Sequence, residues 1–468
     1  MVFSSLVFLG LFLPAVLLAY YATLRATGSF RIVNRILLAG SLFFYSWGEP
    51  LWIVAMLFTS SVDYVNGRRI GSARSRGGAK LILISSIAIN LGILFVFKYI
   101  GFAIGTLNAL PGPDLPEFSL EMPIGISFYT FQSLSYIIDL YRGRTAVQRS
   151  YFNYLLYVSM FPQLVAGPIV RYMDIERQIE SREVTFGDFG AGAKRFCVGL
   201  GKKVLLANSA GAGAGALLDG DLASAAPAAV WLGVIFYTFQ IYFDFSGYSD
   251  MAIGLGRMFG FRYNENFRYP YISSSITEFW RRWHISLGGF FRDYLYIPLG
   301  GNRRLQLRNI LVVWFLTGLW HGASWNFIAW GLYYGLLLIL EKNLAGFTGR
   351  VPLPVKWLVT MLIVIYGWGI FYFVDAGRLA QFSGAFFFLN GVSGVDMKTA
   401  SVFFQYFWLF PVFAVGSTPL PRLMMERLSL GLGAGAELFK AVLVAASLAA
   451  CFLLLAGESY NPFLYFRF

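Results

Sequence analysis

The sequence predicts an all-α, polytopic integral membrane protein. Three observations carry that expectation. The 468 residues are 57% hydrophobic and only 13% charged, against about a quarter charged in soluble proteins. The mean hydropathy is +0.62. Apolar, nearly uncharged runs of about 20 residues recur along the chain, each long enough to cross a bilayer as a helix. The runs are continuous rather than alternating, which sets aside a membrane β-barrel. The net charge of +13 does not point to nucleic acid, because the basic residues cluster between apolar runs. That is the positive-inside pattern, and it orients the chain. Cys197 and Cys451 both lie in apolar surroundings, which suits small buried side chains better than a disulfide or metal ligands.

The first run, "MVFSSLVFLGLFLPAVLLAYYATLR", has no basic leader and is too long for a signal peptide, so it is expected to be a retained first transmembrane helix. Residues 25–35 and 66–80 are basic and expected in the cytoplasm. The segment between them is too short for two full crossings, so 36–65 predicts a hairpin of short helices turning at Gly48, Glu49 and Pro50. The 81–110 run then leaves the cytoplasm for an acidic outer loop at 111–121, and 122–141 returns to the basic 142–150. Residues 217–226 are expected outside, with 227–256 coming back in. Counting half-spans, the pattern amounts to about 11–13 crossing elements.

Residues 257–308 hold nine arginines against three acids, Glu265, Glu278 and Asp293, yet they are rich in Phe, Tyr and Trp. That mixture suits interfacial or re-entrant helices. Ser275 and Glu278 form a capping-box pattern, so a helix should start near Ile276, carry Trp280 to His284, and stop at Gly288-Gly289. A second short helix is expected over about 290–297, ending at Pro298 and a Gly300-Gly301-Asn302 turn. The next span begins near Asn309, so His321 should lie roughly 18 Å along it, near mid-membrane.

His284 and His321 are the only histidines, and each follows a tryptophan. A lone intramembrane histidine can bond helices together, but ionisable residues at membrane depth mark substrate or proton paths. Gly322, Ala323 and Ser324 reduce bulk where a ligand could approach His321. Two histidines could hold a b-type haem, but nothing else suggests electron transfer, and a di-iron site needs more of them. No metal or haem is expected. "GLGKKVLLA" lacks the glycine spacing and Ser/Thr of a phosphate-binding loop, which leaves a pump unsupported. No pair of inverted halves is visible, which weakens a transporter.

"EFWRRWHISLGGFFRDYLYIPLGGNR" and "LTGLWHGASWNFIAWGLYYG" resemble the paired histidine blocks of the membrane-bound O-acyltransferase family. "MPIGISFYTFQSLSYIIDLYRG", "FPQLVAGPIVRY", "YFDFSGYSDMAIGLGRMFGF" and the ending "NPFLYFRF" resemble further blocks of its bacterial branch. The resemblance covers nearly the whole chain and implies one membrane domain, 1–468, with a motif-bearing core at roughly 122–342. Its fold would be a helical bundle around a central cavity. The implied activity takes an acetyl group from a cytoplasmic thioester, acetyl-CoA or another acyl donor, and passes it across the bacterial inner membrane. Periplasmic or membrane-anchored acetyltransferase partners then place it on a secreted polysaccharide, alginate first. Cellulose or another glycan, D-alanyl transfer from a carrier protein, and a transporter or flippase are the alternatives. Membrane lipids surround the protein; nucleic acid is not a partner.

Acyl transfer needs a base for the attacking hydroxyl, and a desolvated neutral imidazole can accept that proton. His321 is the expected base. His284, tryptophan indole N–H groups and Asn326 are candidate donors to the thioester carbonyl. Arg281, Arg282, Arg303 and Arg304 are candidates for the donor's phosphates, although positive-inside anchoring alone would also place arginines there. Asp244 is expected to pair with an arginine or cap a helix end, and Asp250 could do that or orient a histidine. Pro123, Gly125 and Pro168 should shape broken helices.

These orientations predict that a single cysteine at position 74, in a background lacking Cys197 and Cys451, resists a membrane-impermeant thiol reagent in intact cells. It should react once the membrane is opened. Labelling at position 74 from outside would reverse the orientation of the N-terminal half.

Overall fold

A computed structural model of the chain describes residues 1–112, 114–165, 167–344, 346, 350–457 and 463–464; all are helical or irregular, with no strand among them. Five helices are long and apolar enough to cross a membrane: Phe8–Thr27, Arg76–Asn108, Pro227–Met258, Leu353–Tyr372 and Gly435–Ala456. A sixth crossing could be made by Met397–Tyr406 and Leu409–Gly416, which meet at a 62° bend. The remaining helices are shorter or more polar, as half-spans and interfacial helices are. The chain is a multi-pass membrane protein. It divides into two compact units, one formed by Met1–Phe196 and Ser249–Glu265, the other by Cys197–Tyr248, Asn266–Gly457 and 463–464.

In the first unit the expected hairpin is present, but its helices, Phe30–Gly48 and Ile53–Gly71, are longer than 36–65 allows. Arg31, Arg35, Arg68 and Arg69 belong to helix ends rather than to loops. Their long apolar stems let a helix continue while the guanidinium reaches the polar edge. Asp63, fully buried, accepts hydrogen bonds from Ser86 Oγ (2.7 Å) and Asn90 Nδ2 (2.9 Å). The helix Ile126–Tyr141 is buried on nearly every side, so it is an inner helix rather than a lipid-facing one. Gly125 before it takes φ +79°, and a side chain there would press on the Leu164 carbonyl, which is the break expected at this position. Asp250 is held by Arg195 (2.9 Å), which also bonds Glu265.

The second unit contains the arginine- and aromatic-rich segment from Asn266 onward. Ser275 caps a helix beginning at Ile276, accepting from the Glu278 N–H at 3.0 Å. The Glu278 carboxylate turns back to the Ser274 N–H instead of to Ser275. This helix ends at Arg282, not at Gly288-Gly289; Trp283 is extended, and His284 sits at the break with φ +44°. A new helix, Ile285–Phe291, runs through both glycines into a wider turn at Arg292–Tyr296. The break falls early because Asn266 O takes the Ile285 N–H (2.9 Å) and Arg282 O takes the Arg268 N–H (2.9 Å). These bonds from outside the helix replace the ones that would have continued it.

The helices Gln306–His321 and Trp325–Asn343 form a hairpin turning at residues 322–324. His321 is therefore the last residue of a helix about 24 Å long, not the midpoint of a span. The pair packs backbone to backbone: a side chain at Gly318 would strike the Phe327 carbonyl, and one at Gly331 would strike the Trp314 carbonyl. Cys197 and Cys451 are both free thiols, the first half-buried and the second buried.

Gly318→Val and Gly331→Val should each destabilise the protein by at least about 1–3 kcal/mol, the usual cost of overpacking, because backbone cannot move aside as a side chain does. Gly384→Ala, which meets open space on a helix, should be neutral or stabilising. Thermal unfolding in detergent checks both. Unchanged midpoints for the Val variants would contradict the close helix contact.

Candidate active site

His284 and His321 lie on the walls of two cavities in the second unit. His284 is 2% exposed and faces a cavity of about 240 Å³ whose wall includes Trp280, Trp283, Arg292, Tyr296, Trp314 and Thr317. His321 faces a cavity of about 20 Å³, walled by Asp244, Phe245, Trp283, Trp330, Trp368, Phe371 and Leu464 among others. The smaller space suits a body about the size of one water. Trp283 belongs to both walls. The Trp320 ring lies 5.9 Å from the His284 ring and 5.0 Å from the His321 ring, so one indole touches both imidazoles.

The aromatic setting of each histidine now has a physical account. Phe245 meets the His284 ring edge-on at 4.7 Å, and Phe267 stacks at 6.5 Å. Trp330 and Phe371 meet the His321 ring edge-on at 5.0 and 5.3 Å. These rings leave each imidazole few orientations. His284 lies outside the spanning helices, and its burial pushes the imidazole pKa down to about 3. The neutral form therefore dominates at physiological pH.

The hydrogen bonds fix which neutral form this is. The Ser286 N–H (3.2 Å) and Ser286 hydroxyl (2.8 Å) both reach Asn266 Oδ1. A backbone N–H can only donate, so the atom it meets is the amide oxygen. The same oxygen lies 3.1 Å from His284 Nδ1. Nδ1 therefore carries the proton. Nε2 keeps its lone pair, buried and with no hydrogen-bond partner among the described residues. A neutral His284 in this tautomer accepts a hydrogen bond at Nε2. In this form Nε2 offers an acceptor, where the sequence led us to expect a donor to the thioester carbonyl.

The Trp280 indole is the N–H on this wall, buried without a partner among the described residues, that could serve as such a donor. Asn326 is engaged elsewhere, donating to the Ile370 carbonyl at 3.3 Å, and lines neither cavity.

The four arginines expected at the donor phosphates are not on either wall. Arg282 bonds Glu278 (2.8 Å) and the Arg268 carbonyl (3.1 Å). Arg281, Arg303 and Arg304 are exposed. The arginine on the larger cavity's wall is Arg292, paired with Asp293 at 2.7 Å. Among the described residues, no group of three or more His, Cys, Asp or Glu is placed to hold a metal ion.

Asp244 has a partner that sequence spacing did not reveal. The Lys203 ammonium sits 2.6 Å from its Oδ1, both side chains almost wholly buried, and the Leu464 N–H donates to Oδ2 at 2.7 Å. Lys203 also lies 5.0 Å from the centre of the Phe463 ring. This anchors residues 463–464 against the small cavity. The rest of the ending "NPFLYFRF" lies outside the described residues.

Comparison with known proteins gives the family. The model of the MBOAT, membrane-bound O-acyltransferase family, matches residues 144–379, which include both histidines and both cavities' principal walls. The chain belongs to the membrane-bound O-acyltransferase family. It is an acyltransferase, and as such it uses an acyl donor. Among relatives, the probable alginate O-acetylase AlgI of Pseudomonas putida is 40% identical over 499 aligned positions, covering all of both chains. The protein of the same name from Pseudomonas aeruginosa is 44% identical over 79% of this chain and 72% of its own. A peptidoglycan O-acetyltransferase of Helicobacter pylori is 32% identical over 86% of this chain and 83% of its own.

The Lys203–Asp244 pair makes a stability prediction. Lys203→Met leaves a buried carboxylate without its cation and should cost about 3–5 kcal/mol. Adding Asp244→Asn should recover most of that loss, because the buried charge is then gone. Unfolding midpoints of the single and double variants measure it; equal losses in both would show that the pair is not coupled.

Proposed function

We propose that this acyltransferase, with residues 1–468 acting as one membrane domain, moves acetyl groups across the bacterial inner membrane. The donor is acetyl-CoA or another cytoplasmic thioester, and the final acceptor is a secreted polysaccharide, alginate first. Periplasmic or membrane-anchored acetyltransferase partners complete the delivery. What supports the acetyl and alginate reading is the name carried by relatives at 40–44% identity. What supports the site is one observation: the chain's only two histidines are both buried on cavity walls that share Trp283.

In this reading the acyl thioester occupies the larger cavity. Arg292 marks its wall, and the exposed Arg281, Arg303 and Arg304 are candidate contacts for the donor's phosphates. The acceptor hydroxyl reaches the small cavity at His321, whose size admits little more than the reacting group. His321 takes the hydroxyl proton as the oxygen attacks the acyl carbon. Negative charge then gathers on the carbonyl oxygen, where the Trp280 N–H is the proposed donor. Collapse breaks the C–S bond, and the proton held by His321 goes to the departing thiolate. His284 Nε2, an acceptor, orients the donor rather than polarising its carbonyl. Trp283 stands between the two spaces, so its side chain must shift for acyl carbon and hydroxyl to meet.

His321→Gln keeps hydrogen bonding but removes the proton acceptor. Acetyl transfer from labelled acetyl-CoA, measured with the purified protein and its partners, should fall by about 10²–10⁴, while the protein still reaches the membrane. Transfer within a fewfold of the unsubstituted protein would reject His321 as the base. Labelled acetyl-CoA that is never turned over, beside transfer from an acyl carrier protein, would favour the carrier-linked alternative.

A further inference from the structure

We propose that Asn266 is a positioning residue. It locks neutral His284 in the Nδ1–H form and so presents the Nε2 lone pair to the larger cavity. The inference rests on His284 acting in acyl transfer, and it adds a residue that neither motif block contains. The geometry gives Asn266 two tasks. Its backbone carbonyl takes the Ile285 N–H, which starts the helix just after His284. Its side-chain oxygen takes the Ser286 N–H, the Ser286 hydroxyl and His284 Nδ1. Asn266 is 1% exposed, so water does not compete for these bonds.

The alternatives fail on hydrogen-bond polarity. Turning the Asn266 amide would set its NH2 against the Ser286 N–H, donor against donor. Keeping the amide but moving the imidazole proton to Nε2 would set two lone pairs 3.1 Å apart at Nδ1 and Oδ1. Either arrangement would leave a buried polar contact repulsive. The left-handed backbone at His284, φ +44° and ψ +54°, is a conformation that L residues rarely adopt. It persists because surrounding bonds over-determine it, and Asn266 supplies two of those to the next two residues. The rings against His284, from Phe245, Phe267 and Trp320, carry no charge. On the cavity wall the ionisable groups besides His284 are Tyr296 and Arg292, the latter held by Asp293. The hydrogen bond that Asn266 Oδ1 accepts from His284 Nδ1–H, with Ser286 Oγ 3.5 Å from the same nitrogen, therefore sets what His284 Nε2 can do.

The test uses the fact that the chain has two histidines. Full-length protein, purified through a histidine-free tag and labelled with 15N-histidine, is examined in lipid by solid-state NMR. His321→Gln assigns the His284 signals. The expected result is a protonated Nδ1 and a bare Nε2 in the otherwise unsubstituted protein. In Asn266→Ala the proton should move to Nε2, and kcat for acetyl transfer should fall by at least tenfold; wrong-tautomer enzymes can lose about 10⁴. Asn266→Asp keeps the acceptor oxygen, so it should retain the Nδ1–H form even if the Ala variant does not fold. Its carboxylate favours the imidazolium. Activity carried by neutral His284 should then be lost at a higher pH, as pH falls, than with Asn266. A wild-type Nε2–H signal overturns the inference. A tautomer that changes in Asn266→Ala while acetyl transfer does not would instead reject the role of His284 in the reaction, and with it any catalytic meaning of Asn266.

Discussion

The site depends on one arrangement: Asn266 tied through backbone and side chain to the break between two short helices. Without that anchor, the helix from Ile276 would run on through His284, as its capping signal and apolar pattern suggest. With it, the chain turns at residues 283–284 and a new helix begins at Ile285. Trp283 is thereby placed on both cavity walls and the His284 ring faces the larger one. In an apolar matrix an unsatisfied polar group is costly, so the few polar side chains inside decide where helices stop. Asn266 does this for the arginine-rich segment, and Lys203 with Asp244 fastens residues 463–464 beside His321.

The second histidine depends on a different constraint. His321 ends its helix at a hairpin whose two arms touch through glycine. The close backbone contact leaves no room for a side chain between the arms, and the rings of Trp330 and Phe371 close around the imidazole. The result is a small space with one titratable ring on its wall and Asp244 on the same wall. Such a space admits the reacting end of a molecule and little else.

Much of this was legible in the residues. Composition and run length gave the all-helical membrane class, and Gly48-Glu49-Pro50 marked a real turn. The Ser275 cap fell where its pattern placed it. The two histidine blocks carried the family. What was hidden was contact between segments. Nothing in "FRYNENFRYP" distinguishes Asn266 from a loop asparagine; only folding brings its oxygen to His284 Nδ1. Within "GLGKKVLLA" nothing singles out Lys203, whose carboxylate partner lies 41 positions later. Gly288-Gly289 suggests a stop for the Trp280 helix, whereas the bonds Ile285 N–H to Asn266 O and Arg268 N–H to Arg282 O end it earlier. The phosphate arginines were chosen by density of charge, and charge density does not tell which side chain reaches a cavity wall.

The central claim is that the two histidine cavities are the donor and acceptor ends of one acyl-transfer path. A structure of the protein in lipid with a non-hydrolysable thioether analogue of acetyl-CoA tests it most directly. The account predicts the pantetheine arm along Trp280, His284 and Arg292, with the acyl end at Trp283, displaced toward His321. An analogue seated away from both histidines, for example in the apolar groove lined by Ile235, Trp357 and Ala414, would contradict it.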